Sequence, residues 1–222
     1  YAGVTWSNIP ESDGRRLFIG WMNNWDYANE VPPVNFKGAM TLPRELNLAH
    51  NGLHLILANP PVEEVKALRG EMKTMDPFTV NKSHTIDNLT EGNKGTFEIE
   101  MKIETGNASA FSFVLSNQKG EKTIFSFNLE KGILGMDRSN SGMIDFSDKF
   151  ADKISEAPLT KKKSYHIRLF VDKASTECFI DNGELVQTNT VFPTEPYNSL
   201  SFESGEEITI SSINVYPIKS EE

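Results

Sequence analysis

The sequence predicts an all-β protein whose main body is an antiparallel β-sandwich. Two observations carry this. Apolar and polar residues alternate with period two in run after run, and Asn-Gly or Gly-centred turn signals separate the runs. A third sets the beginning of the chain apart: all three tryptophans, Trp6, Trp21 and Trp25, fall within "YAGVTWSNIPESDGRRLFIGWMNNWDY", residues 1–27.

In chain order, Leu46 and Leu48 lead into Asn51-Gly52, and Leu53, Leu55 and Leu57 lead out, a hairpin pattern. "NPPVEEVKALRGE" interrupts the alternation. Pro60 and Pro61 are a start signal, Val62, Val65 and Leu68 keep helical spacing and Gly70 is a stop, so a short helix is expected over about residues 61–69. Asp76-Pro77 reads as a turn leading into a strand. Phe97, Ile99, Met101 and Ile103 alternate with Glu98, Glu100, Lys102 and Glu104, giving one buried and one charged sheet face. Phe111, Phe113, Leu115 and Phe125, Phe127, Leu129 repeat the pattern on either side of a turn at Gly120. Tyr165, Ile167, Leu169 and Val171 form another strand, with His166, Arg168 and Asp172 opposite. "CFIDNGELV" puts Asn182-Gly183 at a hairpin tip, because both central residues of a type I′ turn need positive φ. Ile208 and Ile210 are even-numbered while Ile213 and Val215 are odd, so a bulge or break must lie between them to keep all four facing inward.

Composition shifts across the helical stretch: Trp, Asn and Pro before it, Phe, Ile, Lys and Glu after it. This gives three parts, residues 1–57, a linker with the short helix at 58–70, and a sandwich at 71–222. A net charge of −9 argues against a nucleic-acid binder, and Lys161-Lys162-Lys163 reads as a solvated loop. No apolar run approaches the ~20 residues of a membrane-spanning helix. The single Cys178 permits no internal disulfide and reads as a strand residue. His50 and His54 flank a turn instead of sharing a helix face, so neither metal nor cofactor is expected. Neither Gly-x-Ser-x-Gly nor a phosphate-binding loop occurs, which leaves acyl and phosphoryl transfer without support. Asn81, Asn88 and Asn107 open Asn-x-Ser/Thr triplets, which carry glycans only in a eukaryotic secretory setting.

Glycoside hydrolysis needs two carboxyl groups flanking the scissile bond, but most of the 31 acidic residues sit on outward strand positions. The informative stretch is Trp21 and Trp25 separated by Met22-Asn23-Asn24, with Tyr27 and Asn29 following. Aromatic faces beside amides suit a sugar ring and its hydroxyls. The same residues equally suit a core filling between neighbouring strands.

Tyr1-Ala2-Gly3-Val4-Thr5-Trp6, Gly20-Trp21-Met22-Asn23-Asn24-Trp25-Asp26-Tyr27, Gly38 through Leu46 ("GAMTLPREL"), "PVEEVKALR" and "STECFIDNGELVQTNTVFP" (175–193) together resemble glycoside hydrolase family 32, the β-fructofuranosidases: invertases, inulinases and levanases. The resemblance covers essentially the whole chain and is most specific in its first 70 residues. It implies a five-bladed β-propeller, which carries the active site, followed by a β-sandwich. Residues 1–57 would be the last propeller strands, with Tyr1 inside an Asp-Phe-Tyr-Ala motif. It also implies a retaining reaction on fructans (levan, inulin) or sucrose. The Asp nucleophile would lie in an Asn-Asp-Pro-Asn type motif, the Glu acid in a Glu-Cys motif, and a ring-holding Asp in an Arg-Asp-Pro motif. None of the three motifs is present: Glu177-Cys178 mimics the acid dipeptide but falls in the sandwich region and is read as a strand pair. No catalytic residue is therefore assigned. Trp25 is the substrate-contact position the resemblance carries over best, with Trp21, Asn24, Tyr27 and Tyr1 as further candidates. The expected partners are the fructan or sucrose substrate, the missing propeller, and a second copy through the sandwich or the exposed N-terminal strands. Export to a periplasm or the outside is expected of the parent protein. Residues 1–57 should dock on the sandwich, pair with another copy or be poorly ordered. A non-catalytic carbohydrate-binding or oligomerisation sandwich is the alternative.

Overall fold

The computed structural model describes residues 1–52, 54–89 and 95–219. Five short strands come first: β1 (Val4–Thr5), β2 (Leu17–Ile19), β3 (Arg44–Glu45), β4 (Asn47–His50) and β5 (Leu55–Ala58). A 3-10 helix, Glu63–Leu68, separates them from β6 (Lys73–Met75), β7 (Phe78–Ile86), β8 (Phe97–Glu104), β9 (Ala110–Ser116), β10 (Lys122–Asn128) and β11 (Ile133–Asn140). The chain continues through β12 (Ser155–Pro158), β13 (Ser164–Asp172), β14 (Ser175–Ile180), β15 (Leu185–Thr190) and the long β16 (Ser199–Pro217). The first three strands form an antiparallel sheet, β4 and β5 a separate ribbon, and the rest one path, β12-β11-β10-β9-β16-β8-β13-β14-β15, with β6 and β7 also on β16.

β16 belongs to two layers. Its first half pairs with β9 and β7, and its second half with β8, β6 and the start of β7. A break in register between Ser204 and Ile208 marks the crossing. The layers face each other across Phe127 of β10 and Tyr165 of β13, whose ring centroids lie 5.5 Å apart. Phe113, Phe125, Ile99, Met101, Ile167 and Leu169 are fully buried around them. At the two ends of the path, Gln187 on β15 donates to the Ser155 carbonyl on β12 at 2.8 Å, so the sheet is nearly closed.

The parity argument holds at β16. Register shifts between Ile210 and Ser212, and Ile208, Ile210, Ile213 and Val215 are all buried. Asn182 and Gly183 take φ of 58° and 78°, and Gly120 closes its turn with a 3.0 Å bond to the Asn117 carbonyl. In the first hairpin His50 pairs with Leu55, the last pair before the turn that holds Asn51 and Gly52. Leu53, and Thr90 of the second Asn-x-Ser/Thr triplet, lie outside the described residues.

Two expectations are corrected. The helix is a 3-10 turn over Glu63–Leu68, shorter than 61–69. Val62 stays extended with no side-chain cap, and Arg69 is already extended because it bridges to Ile218. The outward face of β8 is also not simply solvated, since Glu98 is fully buried. Arg69 grips both its oxygens at 2.7 Å, Arg168 of β13 donates to Oε1 at 2.7 Å, and the Arg69 guanidinium lies 3.9 Å above the Tyr216 ring. Strand parity says which face a residue occupies; it says nothing of what later covers that face.

Glu100 continues the network, meeting His166 Nε2 at 3.1 Å and Arg69 at 2.8 Å. The His166 hydrogen bond, aided by Arg69, holds its carboxyl down at about 2. A carboxylate depressed on folding adds stability that is present above its unfolded pKa and lost as pH falls through the folded one. The melting temperature should therefore decline between pH 4.5 and about 2, and E100Q should flatten that limb in a pH series of thermal melts.

Candidate functional site: an aromatic wall seated on the sandwich

β2 continues past Ile19 as an extended stretch held on both sides. Met22 N–H donates to the Ala39 carbonyl at 2.9 Å, Thr41 N–H to Gly20 at 2.8 Å, and Trp21 bridges Met40. On the other side Trp21 N–H donates to the Tyr1 carbonyl at 2.8 Å, and the Tyr1 backbone nitrogen returns a 3.2 Å bond to the Trp21 carbonyl. These backbone contacts bring three rings together: Tyr1 to Trp21 at 6.0 Å and Trp21 to Trp25 at 5.2 Å, both tilted. Gly38, at φ 141°, runs beneath the indole, where a Cβ would stand 2.2 Å from Trp21 Nε1. Only glycine fits there.

The loop bearing Trp25 is built by two amides. Asn23 Nδ2 donates to the Lys37 carbonyl at 3.2 Å, and Asn24 Oδ1 accepts Asp26 N–H at 2.9 Å. The Asn24 carbonyl accepts Tyr27 and Ala28 N–H, completing a tight turn. Tyr1 is left 75% and Trp25 65% exposed, with Trp21 half-buried between them and Asn24 exposed at the loop. An apolar ring face with a polar amide next to it can take the C–H face and a hydroxyl of a sugar.

Tyr27 does not join this wall. It is 7% exposed and turns to the sandwich, packing edge-on against Phe150 at 5.1 Å while its hydroxyl accepts from Arg138 at 3.0 Å. Its neighbours are Val31, Phe146 and Phe192, so its place is a docking contact. Leu17 and Leu42 make a second contact, against Val62, Val65, Phe170, Phe179 and Val186. Of the three fates expected for residues 1–57, docking on the sandwich is the one observed.

Glu177 is a strand residue of β14, buried, and unable to meet a substrate. Its Oε1 accepts Leu42 N–H at 2.7 Å, and its Oε2 accepts Arg44 Nη2 at 2.6 Å and Thr188 Oγ1 at 3.3 Å. Burial pushes its carboxyl pKa up, opposed by Arg44. Cys178 points into the core, where burial raises the thiol well above its usual range. His50 Nδ1 accepts Gly52 N–H, a turn role, and among the described residues no cluster of His, Cys, Asp or Glu is arranged to hold a metal. The Arg44–Glu177 pair gave no local signal, because its partners lie 133 residues apart.

The description "Glycosyl hydrolases family 32 C terminal" matches residues 64–217, and "Glycosyl hydrolases family 32 N-terminal domain" matches residues 1–60. The chain is 32% identical to the levanase of Bacillus subtilis (strain 168) over 222 residues, which is 99% of this chain and 33% of that protein. To the extracellular exo-inulinase of Aspergillus awamori it is 28% identical over 204 residues, 87% of this chain and 36% of that protein. The crystal structure of the Aspergillus awamori exo-inulinase superposes with a TM-score of 0.82 at 25% identity, covering 99% of this chain and 43% of that one. The fructofuranosidase of Schwanniomyces occidentalis complexed with fructose shares the fold, with a TM-score of 0.76 at 18% identity over 99% of this chain and 48% of that one. The chain thus spans about a third of the length of these curated relatives. With more than half of its residues matched, on a nearly closed antiparallel sandwich preceded by small sheets, it belongs to glycoside hydrolase family 32 and carries the family's C-terminal domain behind a short piece of the N-terminal, propeller-region domain.

Proposed function

We propose that this chain is the C-terminal part of a retaining hydrolase that releases fructose from levan, inulin or sucrose, with residues 1–57 closing the propeller, 58–70 linking, and 71–222 forming the supporting sandwich. The observation that carries this reading is the exposed Tyr1–Trp21–Trp25 wall with Asn24 at its edge. Trp25 lies against the terminal fructosyl ring, Trp21 and Tyr1 back it, and Asn24 reaches a hydroxyl. The nucleophile and the acid come from outside residues 1–222. Polymeric fructan cannot enter a cell, so the parent works in a periplasm or outside. The binding-module alternative finds less support, because the exposed aromatics Tyr1, Trp6, Trp25 and Phe36 all precede the sandwich. The exposed large apolar side chains described beyond residue 70 are Met72, Met143 and Ile154.

The test is fructose release from the three substrates by the full-length protein that carries this chain, wild type against Trp25→Ala. The wild type should hydrolyse at least one of them. Losing the ring contact should raise KM about tenfold, ~1.4 kcal/mol, with kcat largely kept. An unchanged KM would remove Trp25 from the site.

A further inference from the structure

Resting on the reading of Trp21 and Trp25 as a sugar-binding wall, we propose that Glu177 of the sandwich is a positioning residue for that wall. It acts through Leu42 and Arg44 on the strand against which Trp21 is laid.

Glu177 is one of the few carboxylates held almost wholly out of water, and two of its three donors, Leu42 N–H and Arg44 Nη2, come from the N-terminal segment. Arg44 is equally committed. It reaches Glu177, Thr188 and, at 3.0 Å, the Asn59 side chain, and its guanidinium lies 5.1 Å from the Phe179 ring centroid. A buried ion pair gains little over well-packed apolar residues of the same size, and its best-attested use is to fix register. Register is what this segment needs. Residues 39–43 border an open, mainly apolar cavity of about 370 Å³, walled by Met22, Met40, Phe97 and Phe170 among others and by Glu177 itself. Apart from Leu42, which packs on the cluster of Val65 and Phe170, packing therefore fixes their position only in part. The same residues carry the ladder to the wall: Thr41 to Gly20, Ala39 to Met22, Met40 to Trp21, and Gly38 beneath the indole. A polar clamp at 42–44 thus sets where the Trp21 strand lies.

The molecule supplies its own reporter. All three tryptophans lie in residues 1–27 and none in the sandwich, and two of them form the wall. Tryptophan emission therefore follows the segment that carries the wall, while far-UV circular dichroism follows mainly the sandwich. E177Q in the 222-residue chain should red-shift the emission and raise its acrylamide quenching at temperatures where the sandwich remains folded. I167V, a core change on β13 away from the clamp, should lower the melting temperature and leave the emission unchanged. The apolar pair R44M/E177L should recover melting temperature relative to E177Q but keep the altered emission. If E177Q does not fold, the apolar pair decides alone. Native emission in E177Q, an equal shift in I167V, or recovery of emission together with stability in the apolar pair would each overturn the proposal. In the full-length hydrolase, E177Q should raise KM with kcat unchanged. The emission readouts use no substrate, so a failure of the fructosyl reading would show in the Trp25→Ala kinetics and leave them standing.

Discussion

Residues 1–222 on their own should release no fructose from levan, inulin or sucrose at concentrations where the proposed full-length hydrolase would consume its substrate completely. The reaction needs a nucleophile and an acid on opposite sides of the scissile bond. The Asn-Asp-Pro-Asn and Arg-Asp-Pro motifs of the family do not occur in this sequence, and its one Glu-Cys pair is buried on β14 with both carboxylate oxygens occupied. Removing such groups from a hydrolase typically costs about 10⁴–10⁶ in rate, which puts the isolated chain at background. A reducing-sugar assay over long incubation, with E177Q as control, checks this. Hydrolysis that disappears in E177Q would mean that Glu177 reaches the substrate after all.

Glu98→Ala should be the most damaging single substitution outside the apolar core. Two arginines converge on this fully buried carboxylate, and Arg168, itself buried, has Glu98 as its ion-pair partner while its Nη2 has no hydrogen-bond partner. Truncating Glu98 strands that charge away from water, at a cost of about 3–5 kcal/mol. That is a large share of the ~5–15 kcal/mol by which domains are stable. It also removes the two bonds from Arg69 to Glu98, leaving Glu100 as the only β8 carboxylate that meets that guanidinium among the described residues. Urea denaturation followed by circular dichroism should show the lower midpoint, and E98L combined with R168M should recover much of it, because an apolar pair leaves no charge behind. A Glu98→Ala midpoint within experimental error of wild type would mean that the arginines find other partners.

The strands were legible because their signal is local. Alternation from Phe97 to Glu104, the turns at Gly120 and Asn182-Gly183, and the parity break between Ile210 and Ile213 each depend on near neighbours in the chain. What the sequence hid depends on distant ones. Glu98 looked solvated until Arg69 and Arg168, 29 and 70 residues away, were brought over it. Arg44 and Glu177 are farther apart still. The aromatic cluster was legible as a cluster but open between wall and core. The structure divides it, leaving Tyr1 and Trp25 in solvent and sending Tyr27 into a docking contact with Phe150 and Arg138. No local pattern distinguishes these, since all belong to one loop-rich stretch whose partners are set by tertiary contact.

On the proposed reading, this wall and this sandwich serve a fructosyl hydrolase whose carboxylates lie elsewhere in the same polypeptide. Reading the coding sequence upstream of Tyr1 tests it most directly. The expected result is a frame that continues through Asp-Phe immediately before Tyr1 and reaches an Asn-Asp-Pro motif farther upstream. An initiating methionine directly before Tyr1 would contradict it and make the chain a freestanding sandwich.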